Sequence, residues 1–475
     1  MTCKIQTIIS SSVAILVAYF IVYLTEMPNS LPLLVFFIIF TFLIISLFTL
    51  KEQMTTKIPY FNIKIIILVG LLFFGSVGAI GVIFNKQYIN YSPQVVLHTI
   101  LLWTFAVFSF LLGFLISMLS RCYSLIPVPK ANINSEKIWK LSFLFLVISL
   151  FTHLYLTKGR LFVGSLISGL YAIKPSTSDL LFTIENLCVP GSLIGYYYLK
   201  TTSNKYAKKF IIISLMILFL FIWGISGARS RVLAITFPII AFEYLYNRRR
   251  SFNSKRGSGR KNFILLIILL LCIYFIGILR TTGLKTFNVK ENFTENIFNP
   301  YYLTEPTGKC FELSIWIVNY FPKYHDYLHG YSLYSLLVTP ILRKYWPNKP
   351  LSFGTLVAYY FQTGYFDLSL REYELITGWS VASTLVGEAY ANFGDLGVIT
   401  AFLALGMIAG IFHKICINNF ENDLVIALYC LALPNFFMLV RGGFSHMTSI
   451  FMARFIPLYF MLLILSRFTK SKNTQ

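Results

Sequence analysis

The chain is poor in charge, and in acid above all. Charged residues make up 12% of its 475 residues, and 18 Asp or Glu stand against 40 Lys or Arg. An ordinary soluble domain carries about 25% charged residues, so that class is excluded. Cysteine is also sparse: the stretch 280–379 contains only Cys310, which excludes a disulfide framework there.

Several catalytic motifs are missing as well. The sequence has no H-E-x-x-H, no G-x-S-x-G and no Walker loop, which excludes the enzyme classes that depend on them. No cysteine pair has zinc-site spacing, and residues 25–29 lack the paired acids that hold a divalent ion. We therefore expect neither a metal nor an organic cofactor.

What the chain does have is apolar sequence of membrane-spanning length. Since lipid offers no hydrogen-bond partners, we expect every span to be an α-helix. The predicted fold is an all-α, polytopic transmembrane helical bundle of about twelve spans. The predicted spans cover residues 8–24, 31–50, 63–84, 95–119, 138–156, 180–199, 209–225, 231–247, 262–279, 396–416, 423–440 and 449–466.

Basic residues set the orientation. They concentrate in alternate loops, most densely in residues 248–261, and Lys470 and Lys472 close the chain on the same side. Both termini are therefore expected to be cytoplasmic. The formal charge of +22 fits this bias together with attraction to anionic membrane lipid. It does not indicate nucleic acid, because no basic patch with interleaved aromatics lies on a soluble surface.

We predict three parts: a membrane bundle of nine helices (1–279), a large outer loop region (280–395), and the last three helices with a cytoplasmic tail (396–475). Within the loop region, 311–321 and 331–344 have the apolar periodicity of short helices lying on the membrane surface. Its dense aromatic residues could stack on sugar rings, or could anchor the loop at the headgroup level.

One basic pair contradicts the orientation rule. Arg229 and Arg231 fall on the outer side and open a helix, where the amides already carry about half a positive charge. The two guanidiniums would repel that dipole unless an anion sat between them, and phosphate suits such a place. We predict part of a site for a phosphorylated lipid.

Further arginines are predicted at outer helix ends. Arg280 ends the ninth span and Arg441 ends the eleventh, while Arg454 lies about five residues into the last one and is expected to face the bundle interior. A terminal arginine can also simply extend to the headgroups. His153, on an apolar helix, is interpreted as a satisfied interior polar group.

The best-placed acid is Glu388. Residues 378–394 predict a short re-entrant or interfacial helix with Ser380, Thr384 and Glu388 on one face, broken at 392–397. Glu388 would then face the outer cavity, as an acid-base group or in a structural ion pair.

His446 follows Arg441 at the start of the last span. It could accept a proton at neutral pH, or it could cap the helix.

Three features resemble the bacterial O-antigen polymerases of the Wzy type. They are the segment 226–233 that opens a span, the segment 387–397 that precedes one, and the single large outer loop. The resemblance implies glycosyl transfer on the periplasmic face of the bacterial inner membrane, in lipopolysaccharide biosynthesis. A growing glycan on undecaprenyl pyrophosphate would pass to the non-reducing end of a lipid-linked repeat unit. A chain-length regulator is a further candidate partner.

The resemblance also implies roles for the residues. Arg229, Arg231, Arg280 and Arg441 would stabilise the developing charge of the pyrophosphate without a metal. Glu388 is the first candidate for the general base and His446 is the second.

Three alternatives remain open. The O-antigen ligases share the general plan. A lipid-linked oligosaccharide flippase would have related halves and would not need a large ordered outer loop. A membrane acyltransferase would need a histidine deep in the bundle.

Overall fold

The structure is a computed structural model. It describes residues 58, 61–79, 82, 91–120, 122–130, 133–159, 181, 184–202, 205–225, 229–251, 300–338, 341, 345–346, 349–364, 366–368 and 381–468. The predicted spans 8–24, 31–50 and 262–279, and with them Arg280, lie outside these residues.

Regular structure in the described ranges is helical throughout, as predicted. The helices are α1 (Ile63–Leu71, continued by a π-helix Leu72–Val77), α2 (Pro93–Leu119), α3 (Ser135–Leu156), α4 (Cys188–Thr201), α5 (Tyr206–Ile225), α6 (Arg229–Ser251), α7 (Pro300–Tyr320), α8 (Tyr331–Val338), α9 (Phe353–Thr363), α10 (Leu385–Asn418), α11 (Asp423–Gly442) and α12 (Phe444–Arg467), with a 3-10 turn Cys122–Leu125.

Six helical segments in the described part are long and apolar enough to cross a membrane. They are Pro93–Leu119, Ser135–Leu156, Tyr206–Gly224, Leu385–Asn418, Asp423–Gly442 and Ile450–Arg467. The all-helical membrane architecture is confirmed to this extent. The total of about twelve spans, the three-part division and the side on which the loop region lies stay predictions.

Helix starts follow local capping chemistry. Ser92 accepts a hydrogen bond from the Val95 amide, and Pro93 occupies the first turn of α2, where its missing N–H costs nothing. Asn422 caps α11 by accepting from the Leu424 amide. These caps explain why the predicted spans 95–119 and 423–440 agree closely with α2 and α11.

Two expectations for the loop region are wrong in detail. The segment 311–321 is the end of α7, and Ile315 and Ile317 are fully buried in the core, so this helix does not lie on the membrane surface. Thr384 is not inside a helix but caps α10 with φ +56°, and it therefore does not share a helical face with Glu388. Ser380 lies outside the described residues.

Glycines bring α2 and α10 into close contact. A Cβ at Gly406 would lie 2.1 Å from the Phe110 carbonyl oxygen, and one at Gly113 would lie 2.0 Å from that of Leu403. Small residues allow this approach between membrane helices, where packing replaces the hydrophobic drive. The pair α2–α10 is thus the rigid support behind the site described below.

We predict that Gly406→Ala destabilises the protein, because the methyl group must push α10 away from α2. Overpacking of this kind costs about 1–3 kcal/mol, which should lower the melting temperature of the detergent-purified protein. Gly224→Ala is the control, since a Cβ there meets nothing within 4 Å. Equal melting temperatures for the two variants would contradict the close packing of α2 on α10.

Candidate functional site

The helix α10 is kinked where the sequence predicts a break. Phe393 (φ −144°, ψ 22°) and Gly394 (φ +62°, ψ −147°) leave the helical conformation, and the positive φ of Gly394 favours glycine. The carbonyls freed by the kink gain partners from another loop: the Leu328 amide donates to Ala391 and the His329 amide to Asn392. The first half of α10 is therefore tied to the segment that precedes α8.

Asn392 extends this connection through its side chain. Its Oδ1 accepts from the Gly330 amide at 3.1 Å, and its Nδ2 donates to Ser332 Oγ and to the Glu388 carbonyl, both at 2.7 Å. The three bonds hold α8 against the turn of α10 that carries Glu388.

Glu388 caps the last helix. The carboxylate is buried, and its Oε2 accepts from the backbone amides of Phe444 at 2.5 Å and Ser445 at 3.2 Å. These are the first amides of α12, where a negative charge is favoured by the helix dipole. In the described part of the chain these contacts replace the arginine ion pair that the sequence left open.

The cap depends on the residue just before α12. Gly443 has φ +80°, and a Cβ there would lie 2.3 Å from Glu388 Oε2 and 2.8 Å from Ser383 Oγ. Only a glycine lets the α11–α12 turn close over the carboxylate. His446 lies in the first turn of α12, next to the capped amides; its side chain is outside the described part.

An apolar cavity of about 520 Å³ opens beside Glu388. It lies between α8, α10, α11 and α12, and its polar wall residues include Ser332, Glu388, Asn392 and Asn435. Its walls are otherwise almost wholly apolar. Examples are Leu333, Leu336, Leu405, Ile408, Phe436 and Phe451. A cavity with a long apolar wall and a polar end suits an amphiphilic ligand.

Arg231 lies in a second polar cluster. As predicted, α6 begins at Arg229, whose side chain lies outside the described part. Arg231 Nη1 lies 3.3 Å from Glu185 Oε1, and Glu185 is in turn 2.9 Å from His153 Nδ1. The anion predicted beside the arginine pair is, for Arg231, supplied by the protein itself. His153 is a satisfied interior group, as predicted.

Arg454 lies close to this second cluster and faces the bundle interior, as predicted. Its Nε and Nη2 donate to Asn186 Oδ1 at 3.1 and 2.9 Å, and its Nη1 donates to Asn435 Oδ1 at 3.0 Å. Because α12 begins at Phe444 rather than at 449, Arg454 is ten residues into the helix. Arg454 therefore lies about 15 Å along the axis of α12 from the helix start that Glu388 caps.

Arg441 lies in the last turn of α11, beside the residue that begins α10. Its carbonyl accepts from the Thr384 amide at 3.0 Å, and its guanidinium lies beside the Cys310 thiol. Burial raises the pKa of Cys310, and the positive charge of Arg441 opposes that shift. Arg441 is therefore held near Glu388, whereas Arg231 belongs to the cluster with Glu185.

Sequence reasoning missed three polar residues of the second cluster. Glu185 and Asn186 form an acid-amide pair within an apolar run, and Asn435 lies in the middle of a predicted span. Polar groups inside membrane segments are functional candidates by default. Applied to residues 185, 186 and 435, that rule identifies all three as candidates from the sequence.

We predict that Gly443→Ala lowers the melting temperature more than Gly364→Ala does. Both glycines have a φ near +80°, but Gly443 (ψ 172°) has a conformation that is nearly confined to glycine, whereas Gly364 (ψ −1°) is left-handed helical, so Gly443→Ala also has the larger backbone cost. A Cβ at 364 meets nothing within 4 Å, whereas one at 443 displaces Glu388 from the α12 amides. Equal losses, measured by thermal unfolding of the purified variants, would contradict both the backbone strain at Gly443 and its tight contact with Glu388.

Comparison with known proteins identifies the family. A model of the family described as O-antigen polysaccharide polymerase Wzy matches residues 7–473, nearly the whole chain. No curated protein and no solved structure matches the chain. The match and the apolar helices together indicate a membrane protein. The chain belongs to the O-antigen polysaccharide polymerase Wzy family.

Proposed function

We propose that the protein joins undecaprenyl-pyrophosphate-linked oligosaccharide repeat units into O-antigen on the periplasmic face of the bacterial inner membrane. The family supports polysaccharide polymerisation from a lipid-linked oligosaccharide. The single observation that carries the finer proposal is the apolar cavity that ends at a buried carboxylate. One end suits a lipid tail, and the other suits the reacting sugar.

The reaction forms one glycosidic bond and breaks one bond to phosphate. A hydroxyl at the non-reducing end of the acceptor repeat unit attacks the anomeric carbon of the donor glycan. The bond from that carbon to the pyrophosphate oxygen breaks, and undecaprenyl pyrophosphate leaves. The hydroxyl proton passes to a base on the protein.

The cavity would hold the lipid carrier. Its volume of about 520 Å³ falls in the usual range for small-ligand pockets. It would thus accommodate the isoprene units nearest the diphosphate, while the remaining tail stays in the bilayer. Leu405, Ile408 and Phe451 would contact those units.

Glu388 is our first candidate for the base. Its carboxylate accepts bonds from two amides, but a carboxylate has about four acceptor sites. The Ser332 and Ser445 hydroxyls lie within hydrogen-bond reach of the other sites, and an acceptor hydroxyl at the cavity wall would take the place of one of them. His446, in the first turn of α12, is the second candidate.

Arginines would stabilise the leaving group. A pyrophosphate needs little protonation, but the charge that develops on it must be compensated, and guanidinium can do so through paired hydrogen bonds without a metal. Arg441 is held against the start of α10, the helix that carries Glu388. Arg229, Arg231 and Arg280 are the other candidates from the sequence.

An aromatic cluster of α7 and α9 exposes the ring of Phe361, which would contact the sugars, while Trp316 and Tyr320 are buried behind it. Trp316 stacks on Tyr320 with ring centroids 4.9 Å apart, and it lies 4.6 Å from Tyr360 and 5.1 Å from Phe361. Phe361 is exposed. Aromatic faces of this kind can stack on pyranose rings, and anchoring at the headgroup level is the competing interpretation.

The polysaccharide of a deletion strain tests the proposal. Loss of a polymerase should leave surface lipid carrying a single repeat unit, seen as one band in place of a ladder on a gel. Complete loss of surface glycan would indicate a flippase, and polymer that is not attached to surface lipid would indicate a ligase. Either of those patterns contradicts the proposal.

Complementation of that strain with Glu388→Gln tests the base. The amide oxygen can still accept from the α12 amides but cannot take up a proton, so we expect turnover to fall by about 10²–10⁴-fold with little change in melting temperature. Rates are measured from lipid-linked repeat units in proteoliposomes. A full rate for Glu388→Gln, with the loss appearing in His446→Gln instead, would assign the base to His446.

A further inference from the structure

In the described part of the chain, one buried cluster of charged residues does not balance. Arg231 and Arg454 are two cations, and Arg231 is close enough to Arg454 for their charges to repel. Glu185 is the carboxylate that pairs with Arg231. In the described part of the chain, the hydrogen bonds of Arg454 end on neutral carboxamide oxygens. The group formed by these three charged residues therefore carries one net positive charge.

Such an arrangement is costly for a purely structural arginine. Arg454 is buried, with 7% of its surface exposed, and a buried cation without an anion pays a desolvation penalty that neutral dipoles only partly offset. Two carboxamides orient the guanidinium but leave its charge uncompensated. A buried cation that neutral groups orient but do not neutralise is typical of a binding site for an anionic ligand.

The guanidinium also has free hydrogen-bonding capacity. Arginine has five N–H donors, and the contacts with Asn186 and Asn435 use three of them. One N–H on each terminal nitrogen remains. A pair of terminal N–H groups matches the two oxygens of a phosphate.

Asn435 connects this cation to the cavity. Its side chain lines the cavity wall, its Nδ2 donates to the Leu431 carbonyl at 2.8 Å, and its Oδ1 accepts from Arg454. The bond to Leu431 fixes which end of the carboxamide faces the arginine. An anion that enters along the apolar wall would therefore meet Asn435, with Arg454 directly behind its carboxamide oxygen.

We infer that Arg454, held by Asn186 and Asn435, is a binding residue for a phosphate or diphosphate group, with Glu185 and His153 positioning Arg231 beside it. The nature of the ligand rests on the proposed function, which supplies a lipid-linked diphosphate as substrate and product. The same chemistry would bind free pyrophosphate, and the test below separates these two sources.

The test replaces neutral carboxamides by carboxylates of nearly the same shape. Asn435→Asp and Asn186→Asp each place a carboxylate where a carboxamide now holds Arg454, so the arginine is neutralised in position. We expect binding of farnesyl diphosphate to the purified full-length protein to weaken by about tenfold to a hundredfold. The melting temperature of each variant checks its folding, because Asn435→Asp also removes the bond from Nδ2 to the Leu431 carbonyl. Asn134→Asp is the control, because this exposed residue caps α3 through its Oδ1 and an aspartate caps a helix as well as an asparagine does.

The probes distinguish the sources of the anion. Weakened binding of both farnesyl diphosphate and inorganic pyrophosphate supports a site for the diphosphate alone. Binding of farnesyl diphosphate only, again weakened by the variants, supports a site for the lipid-linked form. Wild-type affinity in both variants, or equal binding of farnesol and farnesyl diphosphate, overturns the inference.

A measurement on the unmodified protein covers the case in which the variants do not fold. Saturating farnesyl diphosphate should raise the wild-type melting temperature more than farnesol does, and the absence of any difference overturns the inference. These assays contain no sugar and no polymerisation step. A protein that binds the diphosphate but forms no polymer would contradict the proposed function alone.

Discussion

The arrangement around the cavity depends on one interaction, the bond between the buried Glu388 carboxylate and the first amides of α12. It joins Glu388 of α10 to Phe444 of α12, which are 56 positions apart in the chain. Gly443 allows the approach, and Asn392 holds α8 against the same turn. If the carboxylate moved, the ends of α8, α10 and α12 would lose their common contact. The interaction therefore fixes both the shape of the cavity and the position of Glu388, the acidic residue among the described residues that line it.

The same interaction explains how a carboxylate can be both structural and reactive. The amides of α12 hold the carboxylate in place and stabilise its charge. A transfer with pyrophosphate as the leaving group needs little protonation on the departing side, so a base that is correctly placed can be sufficient.

Much of the fold could be predicted from the sequence, because apolar runs of fixed length give helices wherever lipid is the solvent. The break of α10 was also predictable, since the segment 392–397 contains two glycines and an Asn-Phe-Gly turn. The interior of α7 was not predictable, because a half-apolar helix can pack on a membrane surface or within a core with the same periodicity.

The site was harder to predict, for a different reason. Glu388 was identified by its pattern, but its partners come from α12 and α8, and no local pattern encodes such contacts. Arg454 was expected five residues into its helix, and it lies ten residues in because α12 begins at Phe444. Glu185 was overlooked, although it is the carboxylate that compensates Arg231. Long-range pairing of a few polar groups decides these positions, and apolar periodicity carries no information about it.

The central claim is that the lipid carrier lies in the cavity with its diphosphate toward the polar residues of α10 and α11. Photolabelling with a farnesyl diphosphate that carries a diazirine on its tail tests this directly, with the adducts mapped by mass spectrometry. The account predicts adducts on the apolar wall, at Leu405, Ile408 or Phe451, that an excess of unlabelled farnesyl diphosphate suppresses. Adducts confined to the outward faces of α3 and α5, unaffected by that competitor, would contradict it.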